Sequence, residues 1–424
     1  MIAKNSALLA FFSILSLLLA IVRDRLLAVY VGVGPALDVY NASFRIPDLM
    51  YGVLLAFVTS GTVVPYLTKE NSHGTLVDPR TKLASLTFFF IGIIGVLAAV
   101  VAITLPLFAH IIVLGFSEEQ VALFITTTRI LLLQPIVLGI TSLISCFAQL
   151  KNHFVLYGLS PLGYSLGIIL GIVVLYEPYG IMGLIYGVLI GSVVSFTIQL
   201  LSLRGVSFSH AISNISFKYV RELATLAIPR TGTNITTQLR IVFFHAIATT
   251  LGAGVLSAYL FAQKITDAVV QVIQQSITTA SMPVLSKDII EHKIDTYSAV
   301  VRKYVVLIGL LGMAAALFLY VAQDLVIYLL YGNTGSNSLI AFFLGGFLIA
   351  LPFQMMAGFY AGSLYSAHDT KDVFMTHVMA TFLAVSTVLF ARDQGVYALV
   401  YGYVVFWVVN FLIILSLYNR KKLA

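Results

Sequence analysis

Apolar runs of about 20 residues follow one another along the whole chain, separated by short polar breaks. A run of that length is what a helix needs to cross about 30 Å of hydrocarbon. The chain has 424 residues, of which 60% are hydrophobic and 10% charged, where a soluble domain carries roughly 25% charge. No water-compatible surface can be built from that stock. The pattern predicts an all-α polytopic membrane protein with helices at about 6–31, 39–67, 83–107, 119–149, 154–175, 180–203, 219–251, 255–284, 299–321, 336–366, 373–390 and 395–418. Pro47, Pro135, Pro229 and Pro352 fall inside or near the starts of these spans, where they can bend a helix. The first run continues into Arg23-Asp24-Arg25 with no small-residue cleavage site, unlike a secretory leader. Cys146 is the single cysteine, so no internal disulfide forms and the redox compartment is not encoded.

Twelve spans place both termini on one side. The loops and tails of that side hold Lys4, Lys69, Arg80, Lys82, Lys151, Arg204, Lys218, Arg221, Lys287, Lys293, Arg302, Lys303, Lys371, Arg420, Lys421 and Lys422, and the opposite loops hold only Arg392. This asymmetry predicts cytoplasmic termini. The net charge of +7 is thus an orientation signal, and no loop is long enough to build a basic module for nucleic acid.

The chain also repeats itself. Tyr40, Arg45, Ile46 and Asp48 recur in register as Tyr259, Lys264, Ile265 and Asp267, and Pro65 to Lys69 resembles Pro283 to Lys287 after a one-residue slip. Gly180 to Gly187 likewise resembles Gly395 to Gly402. The second and eighth helices, and the sixth and twelfth, are therefore equivalent. Two pseudo-symmetric six-helix lobes follow, at 1–203 and 219–424, joined by a cytoplasmic linker at 204–218, and lobes of this kind can rock about a central cavity. Gly163, Gly167 and Gly171, with Gly183, Gly187 and Gly191, recur every four residues and predict close helix packing.

Ionisable residues inside the spans are the candidate functional groups, because each costs about 2.5–3.5 kcal/mol at the bilayer centre if left exposed to lipid. They are Arg23, Asp24 and Arg25 in the first span, Asp38, Arg45 and Asp48 in the second, Arg240 in the seventh, and Lys264 and Asp267 in the eighth. Two readings are open. Arg45–Asp48 and Lys264–Asp267 can be local ion pairs that lock helices, or cations of both lobes can gather an anionic ligand, for which the arginine fork suits phosphate. Arg23 and Arg25 are two apart and cannot line one surface equally. Arg129 and Arg230 are expected to snorkel to headgroups, and His245 to be a packing residue. Trp407 and the many tyrosines fit interfacial belts and core packing. No phosphate loop of the GxxxxGK[ST] type and no metal-ligand spacing occur, so neither a cofactor nor a metal is expected, and transport driven by membrane potential or an ion gradient fits better than an enzyme.

Val22-Arg23-Asp24, Leu26-Leu27-Ala28, Gly32-Val33-Gly34, Asp38, Phe44-Arg45-Ile46-Pro47-Asp48-Leu49 and Val64-Pro65 together resemble the amino-terminal signature of the MurJ/MviN lipid II flippase family, within the multidrug/oligosaccharidyl-lipid/polysaccharide (MOP) exporter superfamily. Tyr259 to Ile265 and Met282 to Ser286 are similar to its second-lobe counterpart. The resemblance implies a two-lobe flippase of the bacterial cytoplasmic membrane. It implies translocation of an undecaprenyl-pyrophosphate-linked peptidoglycan precursor by alternating access, and a cationic cavity that binds the pyrophosphate. On that basis the substrate-binding candidates are Arg23, Arg45, Arg240 and Lys264, with Asp24, Asp38, Asp48 and Asp267 as their charge partners, and Lys264 stands where the family usually has arginine. Leu17, Tyr51 and Gly52 stand where the family commonly has arginine, and Ala56-Phe57 where it has an acidic-glycine pair. Phe243-Phe244-His245 replaces the region of an acidic sodium ligand, and the sequence ends at the twelfth span where many members continue with two further helices. These departures keep other readings open: a polysaccharide-repeat flippase, a cation-coupled drug exporter, or a cell-wall scaffold that no longer transports.

Overall fold

The computed structural model describes residues 2–58, 67, 78–204, 214–367 and 370–420. The Val64-Pro65 part of the resemblance, the Pro65–Lys69 part of the repeat, Lys421, Lys422 and most of the 204–218 linker lie outside the described residues, as do the side chains of Lys4, Ala56, Phe57, Pro229 and Arg230.

Among the described residues there is no strand, and the helices run α1 (2–31), α2 (35–58), α3 (Pro79–Ile112), α4 (Glu118–Leu150), α5 (Phe154–Tyr179), α6 (Ile181–Leu203), α7 (Phe217–Thr249), α8 (255–290), α9 (Ile294–Tyr331), α10 (Asn337–Ser366), α11 (Lys371–Phe390) and α12 (Val396–Arg420). Eight of them (α3–α6 and α9–α12) are long and apolar enough to cross a membrane. The other four are α1, α2, α7 and α8, the helices that carry the ionisable candidates. The charged residues singled out from the sequence thus fall on the first two helices of each set of six, with Arg129 of α4 a separate case. The predicted ends shift most at α9, whose 38 residues exceed the expected 299–321. The helix continues at both ends, from Ile294 and on to Tyr331, because a helix that leaves the hydrocarbon has no reason to unwind in water.

The chain divides into two compact units, 1–235 and 236–424, with the division inside α7. In the N-terminal unit, α5 and α6 pack backbone to backbone at their glycines, and Ser160 bonds Ser195 beside that contact at 2.7 Å. A Cβ on Gly167 would strike the backbone of Gly191, and one on Gly171 would lie 2.7 Å from Gly187 Cα. Beside them, Met50, Leu86, Phe90, Leu143 and Phe147 form a core shared by α2, α3 and α4. In the C-terminal unit, α10 is the central element, packed on α8, α9 and α12. Its Phe343 and Phe347 hold Tyr259 edge-on, and Tyr297 of α9 donates a hydrogen bond to its Ser363 carbonyl at 2.9 Å.

Proline decides where the spans break. Pro47 and Pro135 each lack the N–H that would reach four residues back, and the helix is interrupted three residues before each, at Phe44 and Leu132. Pro106 instead sits in an unbroken α3, and the carbonyl it leaves unserved, that of Ala102, accepts a hydrogen bond from Arg129 Nε at 2.9 Å. Arg129, expected to reach toward the headgroups, is tied to the backbone of α3 through its Nε. A backbone acceptor freed inside hydrocarbon outcompetes a distant one.

Gly167→Ala should lower the thermal midpoint of the detergent-purified protein, at a cost of about 1–3 kcal/mol. Gly92→Ala, whose Cβ meets nothing within 4 Å, should not change it. Equal midpoints for the two variants would contradict the glycine-face assignment.

Candidate functional site

In the N-terminal unit the charged residues form one cluster. Arg23, in the last turn of the regular part of α1, binds its neighbour Asp24 through Nε at 3.1 Å and a terminal nitrogen at 3.0 Å. The pair is mostly buried, with side chains 21% and 12% exposed. Just beyond it α1 widens into a π-helical turn over Leu27–Val31, a distortion common at functional sites. Arg25 is exposed, so the two arginines do point apart as their spacing requires. Tyr40 of α2 and Tyr164 of α5 lie within electrostatic reach of Arg23. Tyr164 in turn accepts a hydrogen bond from Gln134 Nε2 at 2.9 Å.

α2 starts with Pro35 at its first position and carries buried Asp38 in its first turn, where an anion meets the positive end of the helix dipole. After the break at Phe44, Arg45 and Asp48 fall one turn apart on the resumed helix, both half-buried and electrostatically coupled. Ser43 and Thr127 pair their hydroxyls at 2.6 Å, and Tyr51 pairs with Ser142 at 3.1 Å. The structure thus brings Arg23, Asp24, Arg45, Asp48, Tyr40, Tyr51 and Tyr164 into one polar patch of this unit.

The C-terminal unit holds a second cluster built on the same plan. Arg240 of α7 is 6% exposed, with its guanidinium carbon 3.8 Å from the ring centroid of Phe406 and within 6.0 Å of those of Phe244 and Trp407. It senses the charge of Asp267. Asp267, exposed on α8, accepts a hydrogen bond from Gln354, whose Oε1 accepts the Tyr403 hydroxyl at 3.0 Å. Lys264 is half-buried, its Nζ 5.4 Å from the Phe261 ring centroid. α8 has Thr266 where α2 has Pro47, so it runs unbroken through this region. His245 is buried edge-on to Tyr259, a packing role as expected. Trp407 is not an interfacial anchor: it lies mid-helix against Tyr403 and Phe406, beside Arg240.

In each unit, therefore, a glutamine of the fourth helix bonds a tyrosine hydroxyl, and a tyrosine, a cation and an aspartate recur in register on the second helix. Sequence reasoning found the charges and missed Gln134, Gln354, Tyr164 and Tyr403. The position of Gln134 and Gln354 beside Pro135 and Pro352, in the two fourth helices, was the available signal. Among the described residues no group of His, Cys, Asp and Glu can hold a metal ion.

Clusters of ionisable side chains repeated on two sets of six largely apolar helices are the mark of a membrane transporter. The family model described as "Lipid II flippase MurJ" matches residues 27–424. The chain is 23% identical over 367 residues to the probable lipid II flippase MurJ of Rhizobium tropici, covering 82% of this chain and 68% of that protein. It is 23% identical over 322 residues to the lipid II flippase MurJ of Burkholderia cenocepacia, covering 73% of this chain and 62% of that protein. Among solved structures, a lipid II flippase MurJ in an inward closed conformation superposes with a TM-score of 0.82 at 18% identity, covering 98% of this chain and 89% of that one. An inward-facing MATE-family transporter of the MOP superfamily gives 0.76 at 15% identity, covering 96% and 94%. The chain belongs to the MurJ lipid II flippase family, with the MOP transporter fold. It is a multi-pass protein of the bacterial inner membrane.

The Arg23–Asp24 pair sets a stability expectation. Asp24→Asn leaves a mostly buried guanidinium without its carboxylate and should destabilise by about 3 kcal/mol. The double variant Arg23→Gln/Asp24→Asn should recover most of that loss in a thermal-shift assay. A double variant no better than Asp24→Asn would show that the pair is not coupled.

Proposed function

We propose that the chain translocates lipid II across the cytoplasmic membrane by alternating access, with its termini in the cytoplasm. The observation that carries this reading is the Tyr–cation–Asp register on the second helix of both units, joined to the family match over residues 27–424. Lipid II presents a pyrophosphate between a polyprenyl tail and a sugar–peptide head. Arg23 and Arg45 can each offer a planar fork to it. Lys264 contributes a point charge, and Arg240 joins once Phe406 moves off its face. Asp24, Asp38, Asp48 and Asp267 neutralise these cations when no substrate is bound and exchange places with the pyrophosphate when it arrives. Such an exchange keeps the charge count in the membrane nearly constant through the cycle, which lowers the barrier to moving it.

Tyr51, paired with Ser142 at a place where the family commonly has arginine, favours a second reading in which the headgroup is a different lipid-linked saccharide. Binding of purified protein to lipid II, compared with a polysaccharide-repeat lipid of equal charge, separates the two. Under the first reading, Arg23→Ala and Arg45→Ala each reduce lipid II translocation in proteoliposomes by at least about tenfold, the worth of one charge-assisted hydrogen bond. Full activity in both single variants would remove these residues from the site.

A further inference from the structure

Arg129 is unused by the transport mechanism and stands in an unusual place. It is the twelfth residue of α4, about 16 Å along the helix from Glu118, and its partner Ala102 is about 15 Å from the end of α3 at Ile112. Both distances put the guanidinium about three helical turns from the 113–117 turn, beside the strongly apolar α3. It nevertheless sits on an exposed face. Ala122, Thr126, Arg129 and Leu133 are exposed at helical spacing, whereas Phe124, Thr127, Thr128 and Leu131 turn inward. On α3, the residues next to Ala102 and one turn on, Ile103 and Leu107, are 76% and 83% exposed, surfaces that only lipid can cover. Among the described residues no carboxylate pairs with Arg129, and Ala102 takes one of its five donors.

A membrane arginine ordinarily escapes by stretching to the headgroup layer. Here the Nε bond to Ala102 shortens the reach, so the anion has to come to the arginine. The remaining terminal nitrogens present the fork that suits a phosphate oxygen pair. We propose that Arg129 holds the phosphate of an anionic membrane lipid below the headgroup plane, against the Pro106 turn of α3. The bilayer is thinned locally beside α3 and α4 as a result. Pro106 thereby does two jobs: it frees the Ala102 carbonyl, and through that carbonyl it fixes the depth of the cation.

The test uses native mass spectrometry of the full-length protein with phosphatidylglycerol or phosphatidylcholine, in the wild type and in Arg129→Gln, Pro106→Ala and the double variant. Pro106→Ala restores an N–H for the Ala102 carbonyl, so the double variant loses the cation without orphaning the backbone and carries the test if Arg129→Gln alone unfolds. Wild type and Pro106→Ala should retain phosphatidylglycerol in preference to phosphatidylcholine. Arg129→Gln and the double variant should bind phosphatidylglycerol about tenfold more weakly, with no change for phosphatidylcholine. Excess inorganic phosphate should not displace the lipid from wild type. Wild-type retention in the double variant would reduce Arg129 to a backbone cap. Displacement by inorganic phosphate would make the site one for free anions, and a wild type indifferent to the two lipids would overturn the proposal outright.

Discussion

An ionised side chain in hydrocarbon must find a partner, and the placement of every informative residue in this protein follows from that requirement. Arg23 is satisfied by the adjacent carboxylate and Arg240 by aromatic faces. Arg129 is satisfied by a carbonyl that a proline set free. These solutions differ in how readily they are reversed. A carboxylate can be exchanged for another anion at little electrostatic cost. An aromatic face has to be displaced first, and a backbone carbonyl does not leave. The ranking separates the residues suited to a passing substrate, Arg23 foremost, from those suited to permanent attachment.

The helices were legible because hydropathy and span length are set by the bilayer itself, so the predicted helices appear in order and eight of them are long and apolar enough to cross a membrane. What the sequence could not convey was how helices end in water, as at α9, and how polar uncharged residues pair across helices. Gln134 and Tyr164 are 30 positions apart, and nothing local links them. The charged candidates were legible because charge is rare in this chain, whereas tyrosine is common and its role depends on neighbours. The backbone tie of Arg129 was hidden for the same reason: its partner is a main-chain oxygen, made available by a proline 23 positions away on another helix.

The two units have kept the register of their second helices while changing its chemistry. Pro47 interrupts α2 beside Arg45, but Thr266 lets α8 continue past Lys264, its hydroxyl bonded to the Gln263 carbonyl at 2.8 Å. The broken helix supplies free backbone groups as well as a forked cation. The unbroken one supplies a point charge on a flexible stem. One repeated pattern thus carries two different kinds of cation, one in each unit.

The glycine contact between α5 and α6 has a mechanical consequence. Where two backbones touch directly, no side-chain rotamer is available to absorb a shift, so the two helices travel together as a single stiff strut. Deformation within the N-terminal unit is then displaced onto segments whose hydrogen-bond ladder is already irregular: the wide turns of α1 at Leu27–Val31 and of α5 at Gly171–Leu175, and the interruptions at Phe44 and Leu132. Two of these four, in α1 and α2, lie within a few residues of Arg23 and Arg45, so part of the compliance of this unit sits beside its charge.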